Sequence, residues 1–354
     1  MELRRRVECF DSIRFILSCM IYLNHCTFLK ETGIGDRIFE GFLHNGRYAV
    51  TVFFILSGFC MYEGYGDRIS NVKYIDFIKG RLRKFYALYM VSMLWVALFF
   101  ITEGESVIQI LKKVILSATL MQTITIKDWG ILNSAAWFMS SLFVLYLLTP
   151  MLIKLANRTK KIIITIGISF FVIILYEIVI WRMQQFNMVS AHNRMLLTYV
   201  FPIYWLPVFY IGILMCRWKK ERLEVNIDTT WIEIVTVLIC IVSYLTGIHA
   251  DGILMEFRSI YYCISAALFV LVFSLEQGWL SKCLATNKYL KLGGTLSTEI
   301  YLFHYPIIYY GGGQFLKMLG IINVWVRVCI LFVMSLSCAV LTQKCQAIIR
   351  RRHG

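Results

Sequence analysis

Long apolar runs separated by short polar segments dominate this chain. A run of about 20 apolar residues is long enough to cross the ~30 Å hydrocarbon core of a bilayer as a helix. Runs of this kind predict ten membrane spans, near residues 10–29, 46–63, 85–102, 135–155, 162–181, 199–216, 231–248, 260–276, 292–310 and 323–343. An even number of spans places both chain termini on the same side of the membrane.

One further apolar stretch, residues 108–121, is interrupted by Lys112 and Lys113. Counting it as a span would invert every later loop against the distribution of charge, so we predict a re-entrant or interfacial helix there. The sequence shows no tandem repeat, low-complexity run or linker. We therefore predict an all-α polytopic membrane protein with one integral domain over residues 1–354.

Composition and charge agree with this pattern. Hydrophobic residues make up 59% of the chain and charged residues 16%, and the mean hydropathy is +0.68, which excludes an ordinary soluble domain. The net charge of +15 comes from Lys and Arg in short loops. The predicted inner segments hold 24 of them and the outer segments 9. This positive-inside bias predicts cytoplasmic termini and membrane lipids as the surroundings, with no nucleic-acid partner.

The eleven cysteines form no CxxC pair and no Cys/His spacing suited to a metal. Most of them lie within or beside apolar runs, where a free cysteine behaves as a small hydrophobe. The sequence therefore predicts no metal site.

The first predicted span carries the most informative pair of polar residues, Arg14 and His25. Eleven residues advance an α-helix by three turns plus about 20°, so both side chains lie on one face, roughly 16 Å apart along the axis. Asp11 lies one turn before Arg14 and is a partner for its charge. An isolated Asp11–Arg14 pair is typical of a helix anchor, but a histidine in register on the same face favours a shared cavity.

A basic cluster lies between the second and third spans, at Lys79, Arg81, Arg83 and Lys84. Two interpretations are open. The cluster is the strongest part of the positive-inside signal and needs no ligand for that role. It also offers several cations to a phosphorylated cofactor arriving from the cytoplasm.

Four residues in other predicted spans are candidates for the lining of the substrate cavity. Arg47, at the outer end of the second span, either extends to the interface or holds a carboxylate or a sugar. Trp137 lies at the outer boundary of the fourth span, where aromatic-belt residues are expected, and belt anchoring is its default role. Tyr301 and His304 lie in the ninth span, where we expect His304 at a depth similar to that of His25. For Tyr301 and His304, packing is the first expectation.

Five segments together resemble the acyltransferase 3 family of bacterial membrane O-acyltransferases, which modify cell-surface glycans. The resemblance covers nearly the whole chain, and the Arg-x10-His spacing is specific when it is joined to the second segment. The segments are DSIR with its ten-residue gap between Arg14 and His25, VFFILSGF (52–59), RLRKFYALY (81–89), WFMSSLFVLYLLTP (137–150) and LGGTLSTEIYLFH (292–304).

The resemblance implies ten core helices in the bacterial cytoplasmic membrane and acetyl-CoA as the acyl donor. It also implies that Arg14 and His25 are the functional pair, with Arg81 and Lys84 at the basic motif of the family; lysine here replaces an arginine. The charged end of CoA is then expected at Arg81, Arg83 and Lys84, with Arg14 deeper. From there, a continuous passage is expected to lead the thioester to His25.

In this mechanism, His25 acts either as a general base or as a transient acyl carrier. The acceptor is a glycan or a lipid-linked saccharide, acylated directly or through a separate extracytoplasmic transferase. A secondary transporter or flippase of sugar-linked lipids is the alternative function. The sequence shows no inverted repeat of broken helices, which disfavours that alternative.

Overall fold

The structure, a computed structural model, describes residues 6–125, 129–222 and 227–352, with side chains described up to residue 345. Every regular element in these ranges is helical. The α-helices are α1 Cys9–His25, α2 Gly33–Ile38, α3 Gly46–Tyr65, α4 Tyr74–Thr102, α5 Val107–Ala118, α6 Trp137–Arg158, α7 Ile162–Gln185, α8 Ala191–Tyr199, α9 Pro202–Arg222, α10 Thr230–His249, α11 Gly252–Glu256, α12 Arg258–Phe273, α13 Trp279–Thr286, α14 Lys288–Thr295, α15 Ser297–Tyr309, α16 Gly312–Met318 and α17 Val324–Arg352.

The prediction of an all-α polytopic membrane protein is confirmed. In the described ranges, seven helices are long and apolar enough to cross a membrane, namely α3, α4, α6, α7, α9, α10 and α17. Side-chain contacts show which helix ends lie together at each of the two ends of the bundle. We call them the Arg14 end, which holds the start of α1, and the His25 end, which holds its last residue.

Three of the ten predicted spans coincide with shorter helices. They are α1 with 17 residues, α12 with 16 and α15 with 13. At 1.5 Å per residue, α15 is about 20 Å long. The chain turns at Leu296, which separates α15 from α14. α1 packs against α3, α13, α14 and α15, and short or broken helices are tolerated at membrane depth where protein surrounds them.

The predicted helix at 108–121 is present as α5, Val107–Ala118. Its 12 residues are too few to cross a bilayer. It packs against α4, where the hydroxyl groups of Tyr86 and Tyr89 donate hydrogen bonds to the carbonyl groups of Ala118 (2.8 Å) and Ser117 (2.9 Å).

Glycines allow α3 and α9 to touch along their backbones. A Cβ on Gly58 would lie within 1.9 Å of the Phe209 carbonyl oxygen, and one on Gly212 within 2.0 Å of the Ile55 carbonyl oxygen. Such close approach is how membrane helices gain packing energy without a hydrophobic driving force. Gly58 of the FFILSGF segment is therefore a helix-packing residue.

Glycines also allow close contact between α14 and the start of α1. A Cβ on Gly294 would lie 2.0 Å from the carbonyl oxygen of Asp11, and one on Gly293 would meet the ring of Phe15. This contact fixes the turn of α1 that carries Asp11 and Arg14.

Candidate active site

A cavity of about 750 Å³ opens at the Arg14 end between α1, α3, α4, α6 and α15. This volume is within the range of small-molecule binding sites. The acidic groups on its wall are Asp11 and Glu63. The basic groups are more numerous and comprise Arg6, Arg14, Arg68, Arg81 and Lys84. The excess of cations makes the cavity attractive to an anionic ligand.

Arg14 lies in the wall of this cavity and is held on two sides. Its Nη1 donates to Asp11 Oδ1 at 2.7 Å, and its Nη2 donates to Cys60 Sγ at 3.1 Å. The same Asp11 oxygen accepts a hydrogen bond from Arg6 Nη2 at 2.6 Å. One carboxylate therefore binds two guanidinium groups. Its single negative charge leaves a net positive charge on Arg6 and Arg14 together, which is available to an anionic ligand.

Arg81 is the buried member of the basic cluster, with 9% of its surface exposed. Its Nη2 donates to the Tyr65 hydroxyl at 2.7 Å, while its Nε has no partner among the described residues. Lys84, one turn later, also lines the cavity. Arg83 is exposed and lies outside the lining, because consecutive residues of a helix point in directions about 100° apart.

The expected continuous passage from Arg14 to His25 is interrupted. The cavity lining reaches Phe138 and Tyr301, and it includes neither His25 nor His304. The Tyr301 hydroxyl donates to the Ala135 carbonyl at 2.5 Å, and its ring packs 5.4 Å from that of Phe138. This bond holds the Tyr301 ring between the cavity and the two imidazoles.

Behind Tyr301, the structure brings His25 and His304 together. Their ring centroids are 5.1 Å apart, and the centroid of Tyr301 is 5.7 Å from that of His304. His304 is 1% exposed. Its Nδ1 lies 2.7 Å from the Tyr301 carbonyl, so Nδ1 carries the proton and donates it. Nε2 is then a bare acceptor, and it has no partner among the described residues.

Two tyrosines fix the end of α1 that carries His25. The Tyr309 hydroxyl donates to the His25 carbonyl at 2.8 Å, which satisfies one of the carbonyls left open at a helix C-terminus. The ring of Tyr305 meets the His25 ring edge-on at 5.1 Å and packs 4.5 Å from Tyr309. His25, at the end of α1, is therefore partly buried against aromatic side chains of α15.

Arg47 and Trp137 lie away from the cavity lining. Arg47 Nη1 donates to the Thr198 carbonyl at 3.0 Å and to Ser259 Oγ at 2.9 Å, so the side chain points into the bundle. The expectation that Trp137 is a belt residue is wrong, because Trp137 is 6% exposed and packs 4.7 Å from Tyr199.

Several residues of the site carried no signal in the sequence. Cys60 and Tyr65 contact Arg14 and Arg81 across helices, and such contacts depend on helix packing. Tyr309 had a usable signal, since it follows Tyr305 and His304 within two turns of the same helix. In the described part of the chain, no three His, Cys, Asp or Glu side chains gather as a metal site.

Comparison with known proteins gives one match. The family model Acyltransferase domain, of the acyltransferase 3 type, matches residues 7–344. Neither the curated proteins nor the solved structures contain a match. The matched range includes every helix that lines the cavity and the whole of α15.

Proposed function

This chain belongs to the acyltransferase 3 family and is a membrane acyltransferase; on that basis we propose that it is a bacterial O-acetyltransferase of the cytoplasmic membrane. In this proposal, both termini are cytoplasmic and acetyl-CoA is the donor. The acetyl group moves to a hydroxyl of an extracytoplasmic glycan or lipid-linked sugar. The acceptor is acetylated directly or through a separate extracytoplasmic transferase.

The observation that carries the proposal is the cavity at the Arg14 end. Its basic wall fits the phosphates of CoA, since guanidinium groups bind phosphate through paired hydrogen bonds. Arg81 supports this fit because its buried Nε has no partner in the described residues and is free to donate. The deeper wall, formed by residues such as Phe53, Phe138 and Met139, suits the less polar pantetheine arm.

In the proposed reaction, the donor binds at one end of the bundle and the acceptor at the other. Charged phosphates remain at the Arg14 end, and the acetyl thioester faces the Tyr301 ring. Beyond that ring are His304 and His25, which is the end where the acceptor would arrive. For transfer, the Tyr301 ring has to rotate away, breaking its hydrogen bond to the Ala135 carbonyl. Such a movement would join the cavity to the imidazoles.

The chemistry needs one proton acceptor. The acceptor hydroxyl gives its proton to an imidazole as its oxygen forms a bond to the acetyl carbon. The C–S bond of the thioester breaks, and the CoA thiolate takes up a proton. Alternatively, a ring nitrogen of His25 first attacks the thioester, expels CoA as the thiolate and carries the acetyl group. The hydroxyl oxygen then bonds to the acetyl carbon as the N–C bond breaks, and the hydroxyl proton passes to the freed imidazole nitrogen. Both routes use His25 as a neutral ring beside His304.

The test is the His25→Ala substitution, assayed in inverted membrane vesicles supplied with radiolabelled acetyl-CoA. We expect label on glycan to fall on the order of a hundredfold or more, because a positioned acid–base group contributes about 10²–10⁴-fold. The exposed His249, at the same end of the bundle, provides the control. His249→Ala is expected to retain transfer.

Retention of transfer by the His25→Ala protein, at wild-type expression and insertion, would remove His25 from the chemistry. Absence of covalent label with the wild-type protein, despite export of a sugar-linked lipid, would instead favour a flippase.

A further inference from the structure

The lining of the cavity at the Arg14 end changes in chemical character with depth. Arg81 lies at the mouth, where its guanidinium group packs on the ring of Tyr65. Farther along α3 and α15, the wall carries the hydroxyl groups of Ser57 and Thr298, and the deep end carries aromatic rings. Cations, hydroxyl groups and rings therefore follow one another in the order in which an extended CoA thioester carries its phosphates, amides and acyl group.

Three aromatic rings close the deep end, and we call them the aromatic floor. They belong to Phe53, Phe138 and Tyr301, which all line the cavity. The centroid of the Phe138 ring lies 5.9 Å from that of Phe53 and 5.4 Å from that of Tyr301, distances at which aromatic rings are in contact. The aromatic floor therefore limits how far a bound ligand extends toward the imidazoles.

The depth of the cavity can be measured along α3, which lines it from Tyr65 to Phe53. These two residues are 12 positions apart, which is about 18 Å along the axis at 1.5 Å per residue. Side chains of one helix tilt in the same direction, so the same spacing separates the two rings. Because Arg81 Nη2 donates to the Tyr65 hydroxyl at 2.7 Å, a phosphate bound by Arg81 lies near the level of Tyr65.

The pantetheine arm of CoA nearly fills this depth. From the phosphate oxygen to the sulfur, the arm contains about twelve bonds, which extend roughly 15 Å if three bonds span ~3.6 Å as in a polypeptide backbone. About 3 Å then remains between the sulfur and the aromatic floor. The two bonds that an acetyl group adds span about 2.5 Å, whereas a butyryl group needs about twice that length and would meet the rings.

We propose that the aromatic floor limits the length of the acyl group and that Phe53 is its specificity-determining residue. The inference rests on the proposed function and deepens it, because it assigns the choice of a two-carbon acyl group to named residues. Phe138 also packs on Phe54 and Trp137, and Tyr301 is held by its hydrogen bond to the Ala135 carbonyl. Phe53 is only partly buried, so its size can be changed with the least effect on the surrounding helices.

The test is competition binding on the full chain in nanodiscs, in which acetyl-CoA or butyryl-CoA displaces radiolabelled CoA. We expect the wild-type protein to bind butyryl-CoA at least about tenfold more weakly than acetyl-CoA, because one methylene in a close-fitting apolar pocket changes discrimination by about 10–200-fold. Phe53→Ala enlarges the deep end and is expected to remove most of this difference. Phe53→Trp fills the remaining space and is expected to weaken binding of acetyl-CoA relative to CoA without an acyl group.

The matched control is Phe170→Ala. Phe170 is also partly buried, but it lies on α7 and outside the cavity lining, so the wild-type ratio of the two affinities is expected to persist. Equal affinity of the wild-type protein for both thioesters overturns the inference. So does a ratio that is the same in wild-type, Phe53→Ala and Phe170→Ala proteins of equal thermal stability.

Failure of the proposed function is separate, because binding is measured without transfer. It is seen as a wild-type protein that binds acetyl-CoA more tightly than butyryl-CoA but places no label on glycan. A wild-type protein that binds no CoA overturns both the proposed donor and the selection of its acyl group.

Discussion

At the scale of single residues, the proposed chemistry depends on the arrangement of His25 and His304. A histidine ring has one donor and one acceptor when neutral, and a hydrogen bond to one nitrogen determines the role of the other. In His304, the bond from Nδ1 to the Tyr301 carbonyl leaves Nε2 as an acceptor near the His25 ring. Because His304 Nε2 has no hydrogen-bond partner among the described residues, it is open to accept a hydrogen bond from the His25 ring when that ring carries a proton.

His304 is therefore predicted to act as a positioning residue for His25. His304→Phe retains the volume of the ring but removes the acceptor, and we expect acetyl transfer to fall on the order of a hundredfold. His304→Gln provides an amide oxygen and is expected to recover part of the rate. The measurement is transfer from labelled acetyl-CoA, with thermal unfolding as a check on folding. Equal loss in both variants would assign His304 a packing role only.

At the scale of helices, close backbone contacts and ion pairs hold the site together. α3 and α9 meet through Gly58 and Gly212, while α14 meets α1 through Gly294. At the His25 end, Arg327 of α17 donates to Glu31 Oε2 at 2.6 Å. Glu31 ends the segment that follows α1, so this pair ties the region after His25 to α17.

The contact between α3 and α9 predicts the effect of a small substitution. Gly58→Ala places a Cβ within 1.9 Å of the Phe209 carbonyl oxygen, a distance that only movement of the helices can relieve. We expect a loss of about 1–3 kcal/mol in stability, as for other overpacked interiors. Gly167→Ala is the control, since a Cβ there meets nothing within 4 Å. Thermal unfolding in detergent gives the comparison, and equal melting temperatures would contradict the packing account.

Glu31 predicts a dependence of stability on pH. Hydrogen bonds from Arg327 and Lys317 hold the pKa of the Glu31 carboxyl below its ordinary value of 4.5. A lowered pKa means that the folded state favours the charged form. The stabilisation is therefore complete above the ordinary value and is lost as the pH falls through the pKa of the folded state.

We expect the melting temperature of Glu31→Gln to lie below that of the wild-type protein at neutral pH, and the gap to shrink below about pH 4.5. Glu103, which is exposed at the end of α4, serves as the control through Glu103→Gln. A gap between wild-type and Glu31→Gln that is constant with pH would show that the pair contributes no charge-dependent stability.

At the scale of the whole molecule, the two ends of the bundle carry different chemistry. The Arg14 end holds the large basic cavity, and the His25 end holds the two imidazoles. In the proposed reaction, a thioester from the cytoplasm and a hydroxyl on the other side of the membrane meet only if the Arg14 end is cytoplasmic. The excess of Lys and Arg in the loops of that end supports this orientation.

The orientation is tested by labelling with a membrane-impermeant maleimide. Phe186, 71% exposed, lies at the His25 end, and Lys288 is exposed at the Arg14 end. Relative to the wild-type protein, we expect Phe186→Cys to gain label in intact cells. Lys288→Cys is expected to gain label only in inverted vesicles. The opposite pattern would reverse the direction of the proposed transfer.

The sequence by itself determined the helical class, the membrane setting and the family, because apolar run length, charge bias and short motifs are local properties of the chain. It also identified Arg14, Arg81, His25 and His304, since polar residues inside apolar runs are conspicuous. Only the tertiary structure decided which of them meet. Arg83 lies outside the cavity lining, Trp137 is buried, and the Tyr301 ring lies between the cavity and His304. Each of these outcomes depends on helix rotation and packing across distant segments, which no local pattern encodes.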